Sequence, residues 1–249
     1  MRRLIASTIL AAGLALAAAA PAQADTNKDT PGGPCTDGPG QGTGNPCNGN
    51  HGNPSPEGNA KEKIDYNHHP DPFTITRPGN DRGAFITQIG NAGRATISQT
   101  ANTQYARIDQ RGGDSNRAQV SQSGAGAHYA LVGQDGGGNQ LDLTQSGLAP
   151  EVALLQQTGN GNTMVVDQQG GTVSSGVAAT QLGDGNAMKL TQSGDDNQAR
   201  LVQNGSGNAM TAAQTGGNNQ LSWTQDGDNH TDLGISQYGG EAIAVTQSW

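Results

Sequence analysis

The sequence predicts an all-β fold, a β-solenoid of stacked strand–arc–strand coils, and three observations predict it. Glutamine recurs every 10 to 12 residues over the C-terminal two-thirds of the chain, glycine follows almost every one of these glutamines at +2, and apolar side chains precede them at −2 and −4. Side chains of a β-strand alternate with period 2, so positions −4, −2 and 0 share one face. That face is apolar, apolar, Gln, while intervening positions such as Thr96 and Ser98, Lys189 and Thr191, or Ser222 and Thr224 are polar. Each unit of about 11 residues is then one strand and one arc, and two units make a coil of 22 to 24 residues. A single coil cannot bury its inner face; stacking coils about 4.8 Å apart pairs the backbones and aligns equivalent side chains.

Composition explains why repetition is needed. Leu, Ile, Val and Phe number 36 of 249 residues, about 14%, below the roughly 20% expected of an ordinary packed core. Gly contributes 39 residues, Pro 11 and aromatics 3%. A conventional α/β or helical enzyme is excluded on these grounds. Disordered chains of such low hydrophobicity usually carry high net charge, whereas charged residues here are 14% and the net charge is −8. Thirteen Lys and Arg residues make no basic stripe able to displace counterions from phosphates, so no nucleic-acid partner is expected.

The N-terminus reads as an export signal. Arg2 and Arg3 precede an apolar run from Leu4 to Ala20, and Ala22-Gln23-Ala24 supplies small residues at −3 and −1. Residues 1–24 are expected to be removed, leaving no membrane span in the mature chain. Residues 25–83 form a Gly/Pro-rich linker, expected to be disordered because Pro removes donors and Gly adds backbone entropy. The linker holds Cys35 and Cys47; a disulfide suits the oxidising compartment, and a pair of free thiols is the alternative. His51, His68 and His69 lie nearby but follow no metal-ligand spacing, so no metal or cofactor is expected.

The solenoid is placed at 84–249. Its inward glutamines are Gln88, Gln99, Gln110, Gln122, Gln134, Gln145, Gln157, Gln169, Gln181, Gln192, Gln203, Gln214, Gln225, Gln237 and Gln247. Their fourteen gaps cover 159 residues, a mean near 11.4, which gives roughly seven and a half coils. Gln169 needs a one-residue slip, to Gln168, before Met164 and Val166 fall in step. Five residues after a glutamine, inward Asn recurs at Asn139, Asn162, Asn186, Asn197, Asn208 and Asn219. Buried amides without partners cost a few kcal/mol, but stacked copies can donate to one another in continuous ladders of the cross-β kind. Neither the first unit, from Ala84 to Gln88, nor the last, from Ala242 to Gln247, carries the Pro, charge cluster or crossing helix that caps a solenoid. Both ends are therefore expected to be templates for another coil.

The unit Gln-x-Gly-x-x-Asn-x-Ala-x-x-x-Gln stands intact as Gln192, Gly194, Asn197, Ala199 and Gln203, with near matches from Gln181, Gln203 and Gln214. It resembles the curlin repeat of curli fimbriae, the extracellular amyloid fibres of bacterial biofilms, and the resemblance covers about Ala84 to Trp249. It implies a self-assembling fimbrial subunit that is secreted to the bacterial cell surface and acts in adhesion and biofilm matrix. It also implies a nucleator subunit and an outer-membrane secretion pore as partners. This chain departs from the familiar subunits in having more coils and a longer linker with two cysteines.

The other readings fit less well. Calcium-binding rolls need nine-residue repeats. An ice-binding solenoid needs a flat outward array of Thr, where this chain mixes Arg107, Asp142 and Lys189. A β-helix hydrolase needs carboxylates gathered in a cleft, but the acids are scattered through short arcs, so the chain is read as no enzyme. A monomeric secreted β-solenoid adhesin or surface-layer protein is the alternative to a fibre subunit.

Overall fold

The computed structural model describes residues 63–67 and 71–249. The expected export signal, most of the linker, and Cys35, Cys47, His51, His68 and His69 lie outside the described residues. Sixteen strands are present and no helix among the described residues. They are β1 (Lys63–Asn67), β2 (Gly83–Gln88), β3 (Arg94–Gln99), β4 (Tyr105–Arg111), β5 (Arg117–Ser123), β6 (Tyr129–Asp135), β7 (Gln140–Gly147) and β8 (Val152–Thr158). They continue as β9 (Thr163–Gly170), β10 (Gly176–Leu182), β11 (Ala187–Gly194), β12 (Gln198–Asn204), β13 (Ala209–Thr215), β14 (Gln220–Asp226), β15 (Ile235–Tyr238) and β16 (Ala242–Ser248).

From β2 onward the chain is an all-β solenoid of about seven coils. Even-numbered strands form one sheet and odd-numbered strands from β3 to β15 the other. Every pairing among them is parallel and joins strands two apart in sequence, as in β10 with β8 and β12. Like residues therefore stack on like: Gln181 lies between Gln157 and Gln203, and Met188 between Met164 and Met210.

The core lies between the sheets and consists of the residues at −4 and −2. Ile108, Val132, Leu155, Ala179, Leu201 and Trp223 face inward from one sheet, and Val120, Leu143, Val166, Leu190 and Ala212 from the other. Full burial of each Leu, Ile or Val contributes about 1.5–3 kcal/mol. Ala and Met fill many of the remaining inward positions.

The arcs need glycine for two different reasons. Gly183, at +2, has φ 110°, and a Cβ there would lie 2.2 Å from the Gly205 carbonyl oxygen of the next coil. Gly185, at +4, has φ 66°, and a Cβ there would meet nothing within 4 Å; Asp196, Asn218 and Asn229 hold the equivalent place elsewhere. Gly185→Ala is expected to cost about 1–2 kcal/mol, the left-handed backbone penalty alone. Gly183→Ala adds a backbone clash to that penalty and should cost clearly more. Denaturation of both variants checks this, and equal losses would show that coil-to-coil contact at +2 is not the constraint.

Three expectations are corrected. Gln169 is exposed and bonds Asp167 (3.1 Å), while Gln168 is the buried member that pairs with Gln145 and Gln192. The apolar residues Met164 and Val166 fix the phase of β9, and the longer arc that follows absorbs the extra residue.

The linker, expected to lack regular structure up to residue 83, contains β1, and residues 71–82 lie against the even-numbered sheet. Ile75 is buried, its N–H donates to Gln198 Oε1 (2.9 Å), and the Phe73 N–H donates to Gln220 Oε1 (3.4 Å). The Arg200 guanidinium lies over the Phe73 ring at 4.7 Å and that of Arg77 over Tyr129 at 5.1 Å. Apolar and cationic side chains spaced among the prolines thus find partners on the solenoid.

Finally, the ends are not equivalent. β1 pairs antiparallel with the outer edge of β16, whereas no strand among the described residues covers β2; there Phe85 and Ile86, and Ile89 just after it, are 51%, 47% and 56% exposed.

Candidate functional site: the amide ladders

No cleft gathers chemistry among the described residues; the repeated feature is two columns of glutamine amides along the core. In the even-numbered sheet, Gln110, Gln134, Gln157, Gln181, Gln203 and Gln225 each donate through Nε2 to Oε1 of the next, ending on Gln247, over 2.7–2.9 Å. In the other sheet the column runs Gln99, Gln122, Gln145, Gln168, Gln192, Gln214 and Gln237, also at 2.7–2.9 Å. The bond always runs from the earlier coil to the later, so both columns are polar and point the same way.

The second amide proton crosses the core. Gln203 Nε2 donates to the Ala187 carbonyl (3.1 Å), Gln192 to Gly176 (3.2 Å) and Gln214 to Gln198 (3.1 Å). Each residue accepting here opens the strand in the opposite sheet, so one side chain joins neighbouring coils and also staples the two sheets. Such amides keep their hydrogen bonds while excluding water, which is how so polar a sequence keeps a dry interior. Gln88 is the exception: it is exposed and gives nothing to Gln110, whose Oε1 is buried without a partner.

The asparagines line the two arcs. Asn139, Asn162, Asn186 and Asn208 are buried, and each Oδ1 accepts the backbone N–H of the equivalent residue one coil on, at 2.9–3.0 Å. Their Nδ2 groups donate to glycine carbonyls, as Asn162 does to Gly183 (2.8 Å). On the other side Asn197 and Asn219 continue the same geometry.

Counting five residues forward from glutamine missed several members of these columns. Gln104, Asn116, His128, Glu151 and Ser175 are buried at equivalent places; Gln104 stands five residues after Gln99 but is not Asn, and the other four follow longer arcs. Counting two residues back from the −4 apolar position finds all five. His230 escapes both that count and the Asn signature, although its N–H bonds Asn208 Oδ1 (2.9 Å).

Two of those five, His128 and Glu151, are ionisable. The Glu151 N–H donates to His128 Nδ1 (3.2 Å), leaving Nε2–H to donate to the Ser123 carbonyl (2.8 Å). The ring is therefore neutral, and burial lowers its pKa. The Glu151 carboxyl is fully buried and neither oxygen makes a close hydrogen bond. Burial pushes its pKa up to about 8, opposed by the Ser175 amide and reinforced by the Asp195 carboxylate. It is a protonated acid at neutral pH, in a column where neighbouring coils place the His128 imidazole and the Ser175 hydroxyl.

Residues 90–124, which run from the arc after β2 to the end of β5, match the family model of the curlin-associated repeat. No curated protein and no solved structure matches the chain. The chain thus carries a curlin-associated repeat at residues 90–124, set within a β-solenoid that repeats the same residue pattern from β2 to β16.

Proposed function

We propose that this chain is a structural subunit of extracellular, curli-like amyloid fimbriae, exported to the bacterial surface and adding end to end for adhesion and biofilm matrix. One observation carries the reading: the amide columns and the parallel backbone pairing propagate from coil to coil without change of register. An identical coil from another molecule could extend them. By resemblance, a nucleating subunit and an outer-membrane pore are the further partners, and no catalytic role is included. The mature chain, diluted from denaturant, should form fibres with a spacing near 4.8 Å along the axis, and thioflavin binding should be seedable and concentration-dependent. A chain that refolds and stays monomeric at all concentrations would overturn the reading. The second reading, a monomeric surface solenoid, is favoured by β1, which occupies an edge that a fibre needs.

A further inference from the structure

Two features of the C-terminal end point to how one molecule meets another. β1 is the one strand that pairs antiparallel among the described residues, and its register sets Ile64 opposite Gln247 and Tyr66 opposite Val245. It satisfies the backbone edge of β16 but brings no glutamine onto the glutamine column. The second feature is a step: the even-numbered sheet has β16 one rung beyond β14, while the other sheet stops at β15.

We infer that β1 is a place-holder, and that the stepped edge formed by β15 and β16 is the docking surface for β2 and β3 of a second copy, turned by half a revolution about the solenoid axis. The inference rests on the fibre reading above. With the half-turn, β2 adds to β15 and β3 takes the place of β1 on β16, so both edges are filled. Without it, β2 would add to β16 and leave an empty rung beyond β15. Opposite sheets run in opposite directions, and a half-turn about the stacking axis exchanges them while keeping every contact parallel. Ile86 and Gln88 then stack on Ile235 and Gln237, and Ala95, Ile97 and Gln99 on Ile243, Val245 and Gln247. That places the exposed apolar side chain Ile86 of the first coil against the matching row of the last.

Charge selects the same occupant. Residues 81–117 hold five arginines and three aspartates, a net of +2, whereas residues 201–249 hold three aspartates, one glutamate and no Lys or Arg, a net of −4. Exposed Arg82, Arg94 and Arg117 sit at one end, and exposed Asp226, Asp228, Asp232 and Glu241 at the other. Like ends repel and unlike ends attract, which favours head-to-tail contact.

The test locks the place-holder. Asp65 and Thr246 are directly opposed in the β1–β16 pair and both are exposed, so Asp65→Cys with Thr246→Cys, on a chain with Cys35→Ser and Cys47→Ser, should form a reducible cross-link. Oxidised, this full-length variant should elongate wild-type seeds at least about tenfold more slowly than when reduced. Ile64→Pro with Asp65→Pro, which disrupts β1, should shorten the lag. Elongation by the oxidised variant at the reduced rate would overturn the place-holder. In electron cryomicroscopy, successive subunits should be related by about 180° with a rise of about 36 Å, seven and a half rungs of about 4.8 Å. Fibres whose subunits are related without the half-turn would overturn the docking geometry while leaving the fibre reading intact. Absence of any wild-type fibre would remove the fibre reading and this inference with it.

Discussion

Replacing Gln203 by Leu is expected to destabilise the solenoid by about 3–6 kcal/mol, although the side chains are similar in size. The substitution removes the acceptor of the Gln181 amide (2.8 Å), the donor to Gln225 (2.8 Å) and the donor to the Ala187 carbonyl (3.1 Å). The two glutamine partners are at the closed centre of the stack, where Gln181, Gln203 and Gln225 have no exposure, while Ala187 opens its strand on an exposed position. An unsatisfied buried polar group costs about 1–3 kcal/mol, and the added apolar surface of Leu offsets only part of the total. Outward Lys189→Gln, on an exposed position one rung away, should stay within about 0.5 kcal/mol. Denaturant unfolding of the two variants separates them. Equal shifts would contradict the claim that the amide columns hold the coils together.

Glu151→Gln is expected to raise stability at alkaline pH by an amount on the order of 3–5 kcal/mol, and to change it far less near pH 4. The Glu151 pKa is raised from 4.5 to about 8, so the folded state holds a proton that the unfolded chain releases. Stability from this group is fully present below about pH 4.5 and is lost progressively as pH rises to about 8, at about 1.4 kcal/mol per pH unit. Glutamine does not titrate and can also donate hydrogen bonds, so the variant should lose this slope. His128 contributes with the opposite sign: its pKa is lowered by burial, so stability falls as pH drops below about 6.5 through the folded value. Wild-type unfolding free energies should therefore fall as pH rises between about 6.5 and 8, above the range where His128 contributes, and the variant's should not. A variant with the wild-type slope would place the responsible group elsewhere.

Much of this architecture is legible in the sequence because each coil repeats the same local rule. The Gln-x-Gly pair, with apolar residues at −2 and −4, sets strand phase, arc position and inward face together, and fifteen strands follow from it. The rule fails where spacing changes. Gln168 and Gln169 both satisfy the glutamine signal, and only Met164 and Val166 distinguish them. Glu151 passes for one more surface acid until its place two residues before Ala153 puts it in a buried column. β1 escapes for a different reason: the segment Lys-Ile-Asp-Tyr-Asn has no repeat signature, and its strand conformation depends on the edge of β16. Strand formation that is set by a distant partner leaves little local trace.

The most direct test of the ladders is solid-state NMR on the assembled chain, selectively labelled in the glutamine side chains. Ladder contacts between Nε2 of Gln181 and Cδ of Gln203, and between Nε2 of Gln203 and Cδ of Gln225, should appear as correlations across about 4 Å, with amide protons protected from exchange. The expected pattern is unidirectional, each amide donating toward the later coil. Glutamine amides that exchange freely and show no such correlations would contradict it, because the stack would then be held together without its ladders.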